Sequence, residues 1–422
     1  MGKVFAFREL DRLLTSLCLV PNAIDLLVLS DSGLVTLVLL RIFNSRIKKA
    51  LGVFLPWTGT SLFAIVLDFK SPGTLMELLD ANPNRASQSR APYLPNEELL
   101  RVCDLSVNYR LNTELQSTVL RQVGFAIGRQ EIVGLLGESG SGKTTTALAI
   151  LQLLPPSAHI VKGSIEFHGQ NLLALPPRRL REIRGFRISI IYQDSDVLNP
   201  VMRVGDQVIE VLRAHRKMST AQMRDEVFSI FAELDFDDCD RIFRAYPHQL
   251  SGGQRRRIAI AQALVCKPRL VIADEPTAWL DSNTTAELLT LFTRLKSLYE
   301  TAFLLISHDP HTLGIADRVL VMYAGQIIES GTRREVLDLP KHPYTQALLG
   351  CSTYAAAHDF GASRHRLPSI PGCAPDPSEM LSGCSFASRC DDRMAGCDSR
   401  QPQLIEIFPE ESVRCFKYGE KA

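Results

Sequence analysis

Gly137-Glu138-Ser139-Gly140-Ser141-Gly142-Lys143-Thr144-Thr145 is the stretch that decides the fold. It fits the pattern G-x-x-x-x-G-K-[ST]. Its glycines let the backbone wrap tightly, so that successive N–H groups point inward at phosphate oxygens. A helix beginning near Lys143 adds its positive N-terminal end. Lys143 is placed to reach the outer phosphates of a nucleoside triphosphate, and Thr144 to ligate Mg²⁺. The preceding run, Glu131–Leu136, reads as a buried strand that enters the loop.

Further along, Leu270-Val271-Ile272-Ala273-Asp274-Glu275 is an apolar strand that ends in two carboxylates. Asp274 can hold Mg²⁺ through water, and Glu275 can polarise an attacking water as general base. Ile188–Tyr192 and Phe303–Ser307 are other short apolar runs ending in polar residues. Together they imply a parallel sheet with catalytic groups at its carboxyl edge. Arg101–Val107 and Val119–Ile127 alternate as half-buried strands do. Residues 205–264 read as mostly helical. Val319–Tyr323 and Gly325–Glu329 predict a hairpin around Ala324-Gly325. Beyond His342-Pro343 the prolines predict loops.

The chain has 422 residues, enough for two or three domains, and 45% hydrophobic with 22% charged residues suits a globular core. A net charge of +1 gives no global attraction to nucleic acid or an anionic membrane. Residues 1–81 form an apolar extension without motifs. Within it Ala50–Leu67 carries no charge and reaches the lower limit for a membrane helix, preceded by Arg41, Arg46, Lys48 and Lys49. Pro56, Gly59 and Thr60 interrupt it, which favours a small apolar extension packed on a neighbour. The start of the chain fits a secretory signal poorly. Residues 82–98, with their prolines, Ser and Asn, read as a linker.

Leu250-Ser251-Gly252-Gly253-Gln254 resembles the signature of ABC-type ATPases. A phosphate loop alone leaves kinases, GTPases and helicases open. The loop, this pentapeptide and the Asp-Glu strand, in that order, identify residues 99–335 as a member of the ABC nucleotide-binding domains. The resemblance implies an α/β P-loop NTPase (RecA-like) core with an antiparallel β subdomain and a helical subdomain at about 194–265. It implies that Tyr109 stacks on adenine, that Gln193 senses Mg²⁺ and the attacking water, and that His308 contacts the γ-phosphate. Asp281 matches the loop that crosses between subunits. Ser251, Gly253 and Gln254 would then complete the site of a facing cassette, two ATP molecules being trapped head to tail. Trp279 departs from the small residue usual at its position and puts the dimer contact there in doubt.

Lys341-His342-Pro343-Tyr344-Thr345-Gln346-Ala347-Leu348-Leu349 resembles the HPYT-x-ALL segment of oligopeptide and dipeptide importer ATPases. Arg366–Gly372, Ile191–Asp194 and Leu198-Asn199-Pro200 are similar to other segments of that subfamily, and residues 336–422 form its C-terminal region. The implied activity is ATP hydrolysis coupled to uptake of peptides or a similar small solute. The implied partners are two membrane permeases, a second ATPase (homologous or identical) and an external solute-binding protein, with no nucleic acid. The implied place is peripheral, on the cytoplasmic face of the inner membrane. The alternative is a soluble ABC ATPase acting on nucleic acid or ribosomes. Such relatives carry two cassettes, a coiled coil or a zinc insert, and this chain offers neither these nor a basic stripe.

Of ten cysteines, Cys384, Cys390, Cys397 and Cys415 cluster near the C-terminus. In relatives some such quartets hold a 4Fe–4S cluster. Thiolate chemistry suits it, but zinc and free thiols remain open.

Overall fold

The structure is a computed structural model that describes residues 26–31, 34–39, 64–66, 98–110, 116–193, 197–357, 369–379 and 381–419. The chain divides into two units, residues 1–90 and 91–422. The first holds an antiparallel meander of β1 (Leu26–Asp31), β2 (Leu34–Leu39) and β3 (Ala64–Val66). The uncharged stretch 50–67, apart from β3, lies outside the described residues, as do almost all of the linker and Asp194. Arg366–Pro368 of the tail segment also lie outside them. Among the described residues no helix is long and apolar enough to cross a membrane.

The second unit opens with two long strands, β4 (Glu98–Arg110) and β5 (Gln116–Gly128). They pair antiparallel, and β4 also pairs with β7 (Ala158–Phe167), which pairs with β8 (Gln170–Asn171). This is the expected antiparallel subdomain. β7 escaped the sequence reading because its Ala158–Gly163 half is half-buried or exposed throughout and carries no apolar run.

The main sheet contains β6 (Ile132–Leu136), β9 (Ile188–Ile191), β10 (Leu270–Asp274), β11 (Ala302–Ser307), β12 (Arg318–Tyr323), β13 (Gln326–Thr332), β14 (Ile405–Phe408) and β15 (Glu411–Val413). Their order is β14-β15-β13-β12-β6-β11-β10-β9, with β12, β6, β11, β10 and β9 parallel. Each central strand is buried on both faces, which explains the unbroken apolar runs. Successive side chains serve different cores. Ile132, Val271, Phe303 and Val319 join one core with the helical region. Val133, Ile272, Leu304 and Leu320 join the other with β4, β5 and the helix after the phosphate loop.

The expected helices are α1 (Lys143–Ile150) and, across 205–264, α3 (Val204–His215), α4 (Thr220–Glu233), α5 (Cys239–Arg244) and α6 (Gly252–Leu264); α2 (Pro177–Ile183) and α7 (Ser282–Tyr299) were not anticipated. The tail is more regular than its prolines suggest. It holds α8 (Pro343–Ala357), and β15 pairs with β13 at Glu329↔Val413, so that the C-terminus extends the main sheet. Pro343 takes the first helical position, where its missing N–H costs nothing.

Candidate functional site

Parallel strands deliver their ends to one edge of the sheet, and the phosphate loop crosses that edge between β6 and α1. Gly140 and Gly142 adopt φ of 82° and 108°, a region that favours glycine. A Cβ on Gly137 would lie 2.2 Å from the Met322 carbonyl oxygen. The β12–β13 turn supports the loop from below: Gly325 N donates to Ser141 O at 2.9 Å, and a Cβ on Gly325 would meet Val119 O at 2.2 Å. Ala324 and Gly325 both have positive φ, as a two-residue hairpin of this hand requires.

The buried Lys143 Nζ donates to the carbonyls of Gly137, at 2.7 Å, and Glu138, at 2.9 Å. Burial lowers its pKa, while Glu275, Asp274 and Glu138 pull it back up. Thr144 lies exposed at the helix start and its hydroxyl reaches the Asp274 carboxylate. Burial pushes Asp274 above the usual carboxylate range, opposed by that hydrogen bond and by Lys143. Asp274 Oδ1 and Ser141 Oγ are buried without a hydrogen-bond partner. A buried carboxylate acceptor fits a cation, and a buried hydroxyl beside a lysine and a glycine loop can donate to a phosphate oxygen.

Glu275 sits at φ 49°, a strained position for a non-glycine residue, which turns its side chain off the end of β10. His308 Nδ1 lies 2.9 Å from its Oε1, and Ser307 Oγ donates to Oε2 at 3.4 Å. The structure thus brings together Lys143, Thr144, Asp274, Glu275 and His308. Gln193 is exposed at the end of β9. Tyr109 is half-buried near the end of β4, against the core beneath the loop.

The signature turn is built differently. Ser251 caps α6: its Oγ accepts from Gln254 N, and Gln254 Oε1 accepts from Ser251 N, a capping box. Ser251 and Gly252 are exposed, and a Cβ on Gly252 or Gly253 would meet nothing within 4 Å. Asp281 caps α7 through Asn283 N and Thr284 N, and these bonds hold its carboxyl below the usual range. Trp279 is 93% exposed at φ 65°.

Residues that the sequence reading missed join these parts. Arg256, buried on α6, donates to Tyr192 O at 2.8 Å, Gln193 O at 2.9 Å and Glu275 O at 3.2 Å. One residue therefore ties the signature helix to the end of β9 and to the Glu275 backbone. The inward stripe of α6 was the signal for it. In the tail, Tyr344 Oη accepts from Glu138 N at 2.9 Å, and Arg389 Nη1 donates to Glu138 Oε2 at 3.0 Å. His342 accepts from Tyr344 N through Nδ1 at 3.0 Å, and burial depresses its pKa to about 3, so it stays neutral and caps α8.

The expected thiol cluster has a neighbourhood and no tight ligand shell. Burial pushes Cys384 up to about 11 and raises Cys390 and Cys415, and each feels other members of the quartet. Among the described residues, however, no three His, Cys, Asp or Glu side chains converge to hold a metal ion. Hydrogen bonds such as Cys384 N to Cys397 O, at 2.7 Å, organise this part of the fold.

The family model "ABC transporter" matches residues 120–278, and "Oligopeptide/dipeptide transporter, C-terminal region" matches 328–397. A probable peptide ABC transporter ATP-binding protein of Sinorhizobium fredii is 40% identical over 76% of this chain and 96% of its own length. The oligopeptide transport ATP-binding protein OppD of Escherichia coli is 39% identical over 76% and 94%, and the dipeptide transport ATP-binding protein DppD of Bacillus subtilis 39% over 77% and 96%. Among solved structures, a dimeric ATP-binding cassette in a post-hydrolysis state with ADP and Pi superposes with a TM-score of 0.51 at 26% identity, covering 56% of this chain and 99% of that one.

Proposed function

The chain belongs to the family of ATP-binding subunits of peptide ABC transporters, and from that premise we propose how its residues divide the labour. It is an ATPase whose hydrolysis is coupled to peptide uptake, working with membrane permeases and a second cassette.

In the proposal, Gly137, Glu138, Ser139, Gly140, Ser141, Gly142, Thr144 and Thr145 cradle the triphosphate, and Lys143 neutralises its outer phosphates. Tyr109 stacks on adenine. Thr144, Asp274 and Gln193 would hold Mg²⁺, which would supply positive charge to the phosphates. Glu275 accepts a proton from the attacking water, while His308 and Ser307 fix its carboxylate. Ser251, Gly253, Gln254 and Asp281 serve the nucleotide of the opposing cassette, Ser251 and Asp281 being exposed and Gly253 and Gln254 half-buried. The observation that carries this reading is the meeting of Lys143, Thr144, the unpartnered Asp274 Oδ1 and the Glu275–His308 pair at one sheet edge. ATPase assays on the assembled complex test it. Lys143→Ala and Glu275→Gln should both abolish turnover; wild-type rates in either would defeat the assignment.

The proposal extends to an external solute-binding protein, a peripheral place on the cytoplasmic face of the inner membrane, and no nucleic-acid partner. Co-purification from membranes tests all three. The division at residue 90 supports the boundary between an N-terminal extension, 1–81 with linker 82–98, and the cassette at 99–335 with its 336–422 tail. The thiol quartet is proposed to take up a 4Fe–4S cluster, for which thiolates are the usual ligands. What supports this is the backbone hydrogen bond from Cys384 N to Cys397 O, at 2.7 Å, which sets two members of the quartet side by side. Iron and labile-sulfide assays on anaerobically purified protein decide it, and iron-free protein with intact thiols would refute it.

A further inference from the structure

We propose that Arg389 is a positioning residue for the phosphate loop, through which the cysteine-rich tail sets the ATP site of its own chain. The proposal rests on the assignment of that loop to ATP. Arg389 is 7% exposed and pairs with Glu138 in parallel, Nη1 to Oε2 at 3.0 Å and Nη2 to Oε1 at 3.2 Å. Its Nη1 also reaches Tyr323 Oη at 3.2 Å, and its Nε donates to Pro371 O at 2.8 Å. Such a fork fixes orientation as well as charge.

Glu138 is held on three sides. Arg389 holds its carboxylate, Tyr344 Oη accepts from its N–H at 2.9 Å, and its carbonyl accepts from Lys143 Nζ at 2.9 Å. The carboxylate of Glu138 stands on the very loop that must receive an anionic triphosphate. Left alone it would repel that ligand; paired with a guanidinium it does not. The tail thereby sets both the shape and the charge of the loop.

Arg389 is also bracketed by two of the four thiols. It ends the short turn Ala387–Arg389, in which Ala387 N donates to Cys384 O at 3.0 Å, and Cys390 follows directly. A rearrangement at those thiols reaches Glu138 through one side chain. Binding is reciprocal, so nucleotide at the loop must also be felt in the tail.

The test uses the full chain in its assembled complex. Arg389→Ala should raise KM for ATP about tenfold, the loss of a charge-assisted hydrogen-bonded pair, and change kcat less. Adding Glu138→Gln to Arg389→Ala should recover most of that loss, because the unpaired charge is gone. Arg389→Lys should recover only part of it. ATP should slow amide exchange across residues 384–390 in the wild type and not in Arg389→Ala. An unchanged KM, or a double variant as weak as Arg389→Ala alone, overturns the proposal. If Arg389→Ala does not fold, Arg389→Lys with and without Glu138→Gln carries the same comparison. A wild-type complex that fails to bind ATP would instead sink the underlying site assignment.

Discussion

The phosphate loop and the signature turn both rely on glycine beside a helix N-terminus, yet they are built to opposite plans. The loop is enclosed at its base: Gly137 has no room for a Cβ, Lys143 is buried, and β12, the β12–β13 turn and the tail all hold it, while Ser139 and Gly140 stay exposed. The signature turn is open: its glycines face free space and its serine is satisfied by its own capping box. An enclosed loop is complete within its own chain. An open turn whose Ser251 and Gly252 are exposed leaves room for a surface supplied from outside, in keeping with the proposed pairing of cassettes.

The difference can be broken by substitution. The largest effect should come from the enclosed side: Lys143→Ala or Glu275→Gln should lower ATPase turnover by about a thousandfold, in steady-state assays of the complex. Nucleotide binding should survive in Glu275→Gln and fail in Lys143→Ala. Next, Gly137→Ala should destabilise the isolated chain by about 2–3 kcal/mol, because its Cβ would meet a backbone carbonyl that cannot yield. Thermal unfolding measures this. Gly253→Ala should move stability by less than about 0.5 kcal/mol while suppressing turnover of the complex. Equal destabilisation by the two alanines would erase the distinction. Ser251→Ala should cost about 1 kcal/mol through the lost cap, together with activity. The smallest effect belongs to Trp279→Ala, which should leave the melting temperature of the single chain unchanged because the ring is 93% exposed. A change in cassette–cassette affinity would then assign Trp279 to the dimer contact.

The same contrast governs what the sequence made legible. Local signals sufficed for the phosphate loop, the apolar strands ending in Asp274 and Ser307, and the Ala324-Gly325 hairpin. Each is set by residues close together in the chain. Contacts between distant segments were not legible. Arg256 lies in the run Arg255-Arg256-Arg257, which reads as a solvated charge cluster, and only its place on the inward face of α6 buries it. Arg389 meets Glu138 across 251 residues of sequence, and β15 joins β13 from the far end of the chain. The tail looked loop-rich because Pro343 was read as a helix breaker, whereas it takes the first position of the fifteen-residue α8, and because β14 and β15 are short. Its HPYT segment was recognisable as a pattern, whereas its physical role, a neutral His342 capping α8 so that Tyr344 reaches the phosphate loop, depends on burial.

The central claim is that one triphosphate lies between the Lys143 loop of one cassette and the signature turn of the other. An experimental structure of the complex carrying Glu275→Gln with ATP and Mg²⁺ tests it most directly. The account requires the γ-phosphate within hydrogen-bond reach of Lys143 Nζ and of the facing cassette's signature serine, with Ser251 engaged in the same way on the opposite nucleotide. A bound triphosphate with Ser251 still open to solvent, or with Lys143 turned away from it, would contradict the account.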